Sequence, residues 1–457
     1  MSDIALSDFV AATATTFNIP GVSVAVFADG REIFAAHGVT SVDNPVPVDE
    51  HTLFAIGSVT KTVTATAIMR LAAEGKIDLE APVRRYVPEL TLRDERIAAQ
   101  ITVRHLLNHT SGLDWGMINE TGEGDDGLAE YVATLSELAL IGEPGERASY
   151  SQGGFNLLGH IIEKVTGQTY EKAVSTLIFE PVGLTDSLFG ANEILTRRFA
   201  VGHEIDADGG LSVVTKWKGT RANNPGGGLG SSAADGLRWA RFHLGDGRTD
   251  SGATVLPTEV LHRMREQTVE LRGSSLGDGF GLGWFLREID GAHAFGHGGS
   301  SFGQFAELLI VPERNFAVFV ASNANPDGIP CNQAIVRWAL EHYAGLIDRD
   351  PEPLPYDAQR AQEVVGHYEN EIMNLDIVTD GAELTLEVVI KPEIRAASDE
   401  AMPADHLPFV FGLLPGDGDE YMITAGAFAG QRGFFSRDEN GAVTGVDLAG
   451  RLFARVS

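Results

Sequence analysis

Strand-forming segments lie at both ends of the first 345 residues, and a long helical stretch separates them. The dipeptide Asp29-Gly30 favours a tight hairpin turn, and it lies between two predicted strands, Gly21 to Phe27 and Glu32 to Ala36. Strand character returns near the end of this region, at residues 283–289, 305–311 and 316–321. We expect both groups to share one antiparallel sheet flanked by helices, with the mostly helical residues from about 79 to 271 inserted between them. This α/β (α+β) layout places a cleft at the join.

The residues after about 357 follow a different pattern. Short alternating runs with intervening turn residues predict a small all-β barrel or sandwich; they are residues 384–390, 421–424, 433–436, 443–448 and 452–456. Residues 348–356 are acidic and proline-rich, which favours a stiff, extended connection. We therefore predict three parts: a first domain at 1–347, a linker at 348–356 and a β-barrel domain at 357–457.

Composition excludes several classes of partner. The chain has 64 acidic and 34 basic residues, a formal net charge of -30, and no lysine or arginine cluster, so we expect neither nucleic acid nor an anionic membrane surface as a partner. Cys331 is the single cysteine, which excludes an internal disulfide and a cysteine-rich metal site. The N-terminus lacks the basic and apolar regions of a secretory signal, so we expect a cytoplasmic location. The sequence leaves the oligomeric state open.

Ser58 and Lys61 form a Ser-x-x-Lys pair at the start of a segment with helical spacing. On a helix, the offset of three residues places the serine hydroxyl next to the lysine amine. A serine is a weak nucleophile until a base takes its proton, and a lysine held out of water can be that base because desolvation disfavours the ammonium form. The pair therefore indicates a nucleophile and its base, although Ser-x-x-Lys alone is a common pattern.

Two further clusters accompany this pair. Tyr150 lies in the segment Pro144 to Gln152, directly before a helical run at residues 155–166. Taken alone, a tyrosine in that position is most simply a packing residue. The segment Gly296-His297-Gly298-Gly299-Ser300 precedes a predicted strand, and its small residues would let a substrate approach the backbone closely.

Together these sites resemble the penicillin-recognising serine hydrolases: class C β-lactamases, DD-peptidases, D-aminopeptidases and the related family VIII esterases. The resemblance runs from about residue 5 to 345 and includes residues 54–61, 101–113 and 157–167. The C-terminal β region is similar to the lipocalin-like appendages of some relatives, which can limit substrate size. It could equally be a stabilising or oligomerising module.

The resemblance implies specific roles. Ser58 corresponds to the acylated nucleophile, Lys61 to its base, and Tyr150 to the tyrosine that carries the proton to the leaving group. The backbone N–H groups of Ser58 and Ser300 correspond to the oxyanion hole, and His297, Gly298 and Gly299 correspond to substrate-binding residues. The family implies no cofactor and no metal.

Two positions depart from the family pattern. Gln152 stands where the family most often has an asparagine that holds the lysine and the substrate amide, and we expect its extra methylene to shift that amide. His297 stands where β-lactamases and DD-peptidases usually carry lysine. A neutral histidine supplies little charge for a substrate carboxylate, and this His-x-Gly version is similar to that of D-aminopeptidases and esterases.

Three other patterns have simpler explanations. Ser301 lies in a Gly-x-Ser-x-Gly motif, but a nucleophile elbow needs a helix after the serine, and the following residues alternate as a strand. His105 and His109 are spaced like metal ligands but have no obvious third ligand, so we expect structural roles. The glycine-dense segment 226–230 lacks the lysine of a phosphate-binding loop and resembles a loop that lines the family's cleft.

The sequence thus favours a serine hydrolase that forms an acyl-enzyme on Ser58 and acts on a small ester, amide or peptide, as an esterase or a D-aminopeptidase, with weak or no β-lactamase activity. An acyltransferase or peptide cyclase that uses the same acyl-enzyme is an alternative. A non-catalytic penicillin-binding or sensor protein is a second alternative, although Lys61 and Tyr150 are both retained.

Overall fold

The computed structural model describes residues 3–114, 121–206, 208–249, 251–274, 277–397, 407–425, 428–448 and 450–456. The chain divides into two compact units, the first comprising residues 1–147, 151–269 and 280–348 and the second comprising 148–150, 270–279 and 349–457. Two short segments that lie before residue 280 in the sequence thus group with the C-terminal residues. The domain bounds drawn from the sequence stay a prediction.

An antiparallel sheet organises the first unit. Its strands are β1 (Gly21–Ala28), β2 (Arg31–Gly38), β3 (Val269–Glu270), β4 (Gly279–Phe280), β5 (Phe285–Ile289), β6 (Ala292–Ser301), β7 (Gln304–Val311) and β8 (Phe316–Ser322). Their order across the sheet is β2-β1-β8-β7-β6-β5-β4-β3. The prediction that the two ends of this region share a sheet is confirmed, because β1 pairs with β8 from Val22 opposite Ser322 to Phe27 opposite Ala317.

Helices cover both faces of this sheet. The longer ones are α1 (Ile4–Thr16), α2 (Thr60–Ala73), α3 (Gln152–Thr166), α4 (Ala233–Leu244) and α5 (Gly328–Ala339). On one face α1 and α5 contribute Leu6 and Ile335 to a core that contains Val24 of β1. On the other face α2 and α4 contribute Val63 and Leu237 to a larger core. Strands β1 and β8 are apolar on nearly every residue because both of their faces are covered.

Short helical segments and small sheets complete the first unit. The α-helical segments are Glu95–Gln100, Val103–Leu107, Gly127–Thr134, Tyr170–Val174, Glu180–Val182, Ala191–Ile194, Asn224–Gly227 and Thr258–Arg263. The 3₁₀ turns are Gly57–Val59, Val83–Arg85, Leu135–Glu137, Arg221–Asn223 and Pro312–Arg314, and the π-helical turns are Ser175–Phe179 and Leu340–Ala344. Phe54–Ala55 pairs with Gly230–Ser231, and His203–Ile205 pairs with Leu211–Val213 and Ala324–Asn325.

Strand β6 was not predicted from the sequence. It contains Gly296, Gly298 and Gly299, and glycine lowers strand propensity. The strand forms because it has neighbours on both sides: Gly296 lies opposite Phe285 of β5, and His297 lies opposite Leu308 of β7. Pairing on both sides thus forms a strand that the local sequence did not predict.

The second unit contains a closed β-barrel, as predicted. Its strands are β9 (Gly366–Glu369), β10 (Met373–Thr379), β11 (Leu384–Ile390), β12 (Phe409–Leu413), β13 (Glu420–Ala425), β14 (Arg432–Arg437), β15 (Val443–Leu448) and β16 (Arg451–Arg455). Consecutive strands pair, and β9 closes on β16. Side chains of Tyr368, Phe411, Tyr421 and Phe435 belong to the barrel's buried core. The unit also has helices at Ala358–Val364 and Pro392–Ala397.

Within the described residues, no helix is both long and apolar enough to cross a bilayer.

Candidate active site

Ser58 and Lys61 lie at the junction between a short strand and a buried helix. The chain leaves Phe54–Ala55, makes the 3₁₀ turn Gly57–Val59 that contains Ser58, and continues into α2. The Lys61 side chain is in the first turn of α2 and is fully buried. Its Nζ lies 3.2 Å from Oγ of Ser58, so the structure brings the predicted pair within hydrogen-bond distance.

The Lys61 amine contacts three uncharged oxygen atoms. Besides Ser58, Nζ lies 2.6 Å from Oε1 of Gln152 and 2.6 Å from the carbonyl oxygen of Gly226. Burial lowers the pKa of Lys61 well below its usual value, because the charged ammonium would have to give up its hydration. A neutral amine has two N–H donors and one lone pair. The two contacts of 2.6 Å can use both donors, and the lone pair then faces the Ser58 hydroxyl.

Gln152 is the first residue of α3, and its amide bridges the lysine to polar side chains behind it. While Oε1 contacts Lys61, Nε2 donates to Oδ1 of Asn223 at 2.5 Å and to Oδ1 of Asn156 at 3.4 Å. The extra methylene therefore does not remove the contact with the lysine. Its effect falls on the amide nitrogen, because both N–H donors of Gln152 are directed to protein oxygens.

His297 lies in the middle of β6 and is buried, with 3% of its surface exposed. Its Nδ1 lies 2.6 Å from the carbonyl oxygen of Gly298, a contact in which Nδ1–H donates. Burial lowers the pKa of His297 to about 3. The imidazole is therefore neutral at physiological pH and offers no positive charge to a substrate carboxylate.

The backbone of Ser58 lies against the glycine-rich end of β6. A Cβ added at Gly299 would lie 2.8 Å from the nitrogen of Ser58, and one added at Gly57 would lie 2.5 Å from the nitrogen of Ser300. Gly57 also has a φ of +50°, a conformation that favours glycine. These two glycines let the segments that carry the Ser58 and Ser300 N–H groups approach each other closely.

Tyr150 directly precedes Ser151, the N-cap residue of α3, whose hydroxyl accepts from the N–H of Gly154. By its contacts Tyr150 groups with the C-terminal unit, where its backbone N–H donates to the carbonyl of Gly450 at 3.3 Å. Its assignment as the proton-carrying tyrosine stays a prediction.

The other candidate motifs have structural contacts. Ser301 ends β6, and a two-residue turn connects it to β7, so the helix of a nucleophile elbow does not follow it. Nδ1 of His105 accepts from the backbone N–H of Thr102, and Nδ1 of His109 accepts from that of Ser151. In the part of the chain that the structure describes, no group of three or more histidine, cysteine or acidic side chains could hold a metal.

Two contributors to the site were missed or only partly recognised in the sequence. Asn223, which binds Gln152, carries no motif of its own. Gly226 belongs to the glycine-dense segment that resembles a cleft-lining loop, but its contact with Lys61 was not predicted. These contacts join residues that are 71 and 165 positions apart, and the sequence pattern holds no signal for them.

Comparisons with known proteins identify the family of this chain. The sequence model of the Beta-lactamase family matches residues 6–342, and the chain belongs to this family, whose members are serine hydrolases. The chain is 34% identical over 316 residues to "Penicillin-binding protein 4" of Amycolatopsis lactamdurans, a match that covers 68% of this chain and 83% of that protein.

Two solved structures share the fold. The structure of SurE with D-Leu has a TM-score of 0.75 and 24% identity, and the match covers 99% of both chains. The D-amino acid amidase of Ochrobactrum anthropi SV3, in complex with L-phenylalanine amide, has a TM-score of 0.63 and 24% identity, and the match covers 74% of this chain and 98% of that one. At these identities the two structures support the fold alone.

Proposed function

We propose that this protein is a hydrolase that forms an acyl-enzyme on Ser58 and releases it to water, with small esters and amides as substrates. The observation that carries the proposal is the position of the Lys61 amine, which is fully buried, has a lowered pKa and lies 3.2 Å from the Ser58 hydroxyl. A base poised in its neutral form next to a serine is what nucleophilic catalysis requires.

The proposed reaction has two stages. The Lys61 amine takes the Ser58 proton as Oγ attacks the substrate carbonyl carbon, and the carbonyl oxygen becomes an oxyanion. The bond to the alcohol or amine leaving group then breaks, and that group departs with a proton, for which Tyr150 is the proposed carrier. Water adds to the resulting Ser58 ester, and the carboxylic acid leaves as the Ser58 hydroxyl is restored. N–H groups of Ser58 and Ser300 are the proposed oxyanion donors; one such donor is worth about 10²- to 10³-fold in rate.

Charge and hydrogen bonding at the site favour one class of substrate. His297 is neutral, so a free carboxylate next to the scissile bond gains no ion pair there. Both Gln152 N–H donors are directed to asparagine oxygens, so they are not available to bind the amide side chain of a peptide or penicillin substrate. An uncharged ester or amide therefore fits best. D-Amino-acid amides are our second choice of substrate, because one structural relative was solved with D-Leu and another is a D-amino acid amidase.

Intact-mass analysis of the full chain tests this proposal. We expect a butyrate ester to give a transient mass increase of one acyl group, mapped to the peptide that contains Ser58, followed by return to the original mass. D-Alanyl amide should behave in the same way more slowly, and a penicillin should acylate slowly or not at all. No adduct with any of these compounds, or an adduct on another residue, would contradict the proposal.

Shortening Gln152 should change the substrate preference. We expect Gln152→Asn to raise amide or β-lactam turnover relative to ester turnover by about 2- to 10-fold, the worth of one hydrogen bond. The physical reason is that the shorter amide cannot reach both Lys61 and Asn223, so an N–H becomes available to a substrate carbonyl. The measurement is the ratio of kcat/KM values for a matched amide and ester. Gln152→Ala is the control, because it offers the substrate no donor; an unchanged ratio in Gln152→Asn would exclude this explanation.

A further inference from the structure

The lysine base is the first residue of a hydrogen-bonded chain that runs away from Ser58. Lys61 contacts Oε1 of Gln152, and Nε2 of the same amide donates to Oδ1 of Asn223 at 2.5 Å. The second partner of that nitrogen, Asn156, is farther away at 3.4 Å. The oxygen and the nitrogen of this planar amide bind partners on opposite sides. The contacts of the nitrogen therefore determine where the oxygen lies relative to Lys61.

Ion pairs hold the turn that carries Asn223. Asn223 ends the 3₁₀ turn that begins at Arg221, whose side chain is only 8% exposed. The Arg221 guanidinium lies 3.1 Å from Glu163 of α3 and 2.9 Å from Glu171, and it donates to the carbonyl of Gly124 at 2.8 Å. Because Glu163 and Gln152 are on the same helix, these ion pairs fix the turn that carries Asn223 relative to Gln152.

The segment that carries Asn223 also leaves space for the Gln152 side chain, which is longer than the asparagine most often found at this position in the family. A Cβ added at Gly226 would lie 1.6 Å from Nε2 of Gln152, so only glycine at this position is compatible with the observed side chain. The carbonyl of Gly226 is also an acceptor for Lys61. Asn223 thus binds the Gln152 nitrogen, and Gly226 leaves room for that nitrogen and binds the lysine directly.

We infer that Asn223 is a positioning residue for the general base: by fixing the Gln152 amide, it directs the lone pair of the neutral Lys61 amine to the Ser58 hydroxyl. The inference rests on the proposed function. A glutamine side chain has three rotatable bonds, and without Asn223 its oxygen would no longer be oriented by a short contact behind it. Lys61 would then keep its burial but lose part of its orientation, and a small misplacement of a catalytic group lowers the rate of the chemical step.

A double-mutant cycle tests this inference on the full chain, with a chromogenic short-chain ester as substrate. We expect Asn223→Ala to lower kcat about tenfold with little change in KM. Because Asn223 acts through Gln152, the double variant Gln152→Ala/Asn223→Ala should be no slower than Gln152→Ala alone. Additive losses in the double variant, or a wild-type kcat in Asn223→Ala, would overturn the inference.

Two further variants separate positioning from structural damage. Asn224 is the matched control, because its side chain donates to Glu171 at 2.6 Å and not to Gln152. Asn224→Ala should keep the wild-type pH profile and leave the coupling between Asn223 and Gln152 unchanged. Asn223→Asp keeps an oxygen acceptor for Gln152 and adds a negative charge one amide group from Lys61. That charge favours the ammonium form, so the acid limb of the kcat profile should move to higher pH while the rate above it recovers.

These results can be separated from a failure of the proposed function. If Ser58→Ala kept its turnover, the acyl-enzyme proposal would fail whatever Asn223 does. If Ser58→Ala were inactive but the cycle were additive, the inference about Asn223 alone would fail.

Discussion

Replacing Ser58 with alanine is expected to abolish hydrolysis of a short-chain chromogenic ester, with a loss of roughly 10⁴-fold or more in kcat. The substitution removes the only atom that would form the covalent bond, while the Lys61 amine and the backbone N–H groups of the 3₁₀ turn remain. Steady-state kinetics and intact-mass analysis of the same sample check both parts of the prediction, because the variant should show neither turnover nor an acyl adduct.

Ser301 provides the matched control for this experiment. It is also a serine close to the glycine-rich segment, but it ends β6 and is followed by a turn into β7. Ser301→Ala should therefore keep most of its activity and still be acylated on Ser58. The reverse result, an active Ser58→Ala and an inactive Ser301→Ala, would make Ser301 the nucleophile and end the mechanism proposed here.

The fold was largely predictable because its strands carry clear patterns. The first hairpin has an Asp29-Gly30 turn in which both residues have positive φ, as tight hairpins require. Strand β8 is nearly uniformly apolar, which is typical of strands that are covered on both faces. Strand β6 could not be predicted in this way, because its glycines give no local preference and its partners are set by the tertiary structure.

The site was predictable to a different degree at each position. The spacing of Ser58 and Lys61 is a local helical property, so their contact followed from the sequence. Gln152 was recognised as a departure from the family pattern, but the consequence of its extra methylene depends on Asn223 and Gly226, which are more than 70 residues away. Contacts of this kind depend on how two segments approach in space. The neutrality of His297 was anticipated from its residue type, and the structure adds the burial that lowers its pKa to about 3.

Replacing Lys61 with methionine is expected to lower kcat by about 10²- to 10⁴-fold, the range that general acid–base catalysis contributes. Methionine fills a similar volume but cannot accept the Ser58 proton. Ester kinetics measure the loss. The control is Lys76→Met, which makes the same chemical change at an amine whose side chain is 54% exposed and which should leave kcat unchanged.

The pH dependence of the stability of Lys61→Met tests the protonation state of Lys61. An unfolded lysine binds a proton up to a pH of about 10.4, whereas burial lowers the pKa of Lys61 in the folded protein. Between these two pKa values the unfolded state holds a proton that the folded state lacks, so this lysine makes the folded protein more stable as pH rises. The free energy of unfolding of the wild type, minus that of Lys61→Met, should therefore rise with pH by up to about 1.4 kcal/mol per unit in this window. Urea unfolding at pH 7, 8 and 9 measures the difference, and Lys76→Met should show no such trend. Parallel curves for the wild type and Lys61→Met would mean that the folded protein holds Lys61 as an ammonium, which could not take the Ser58 proton.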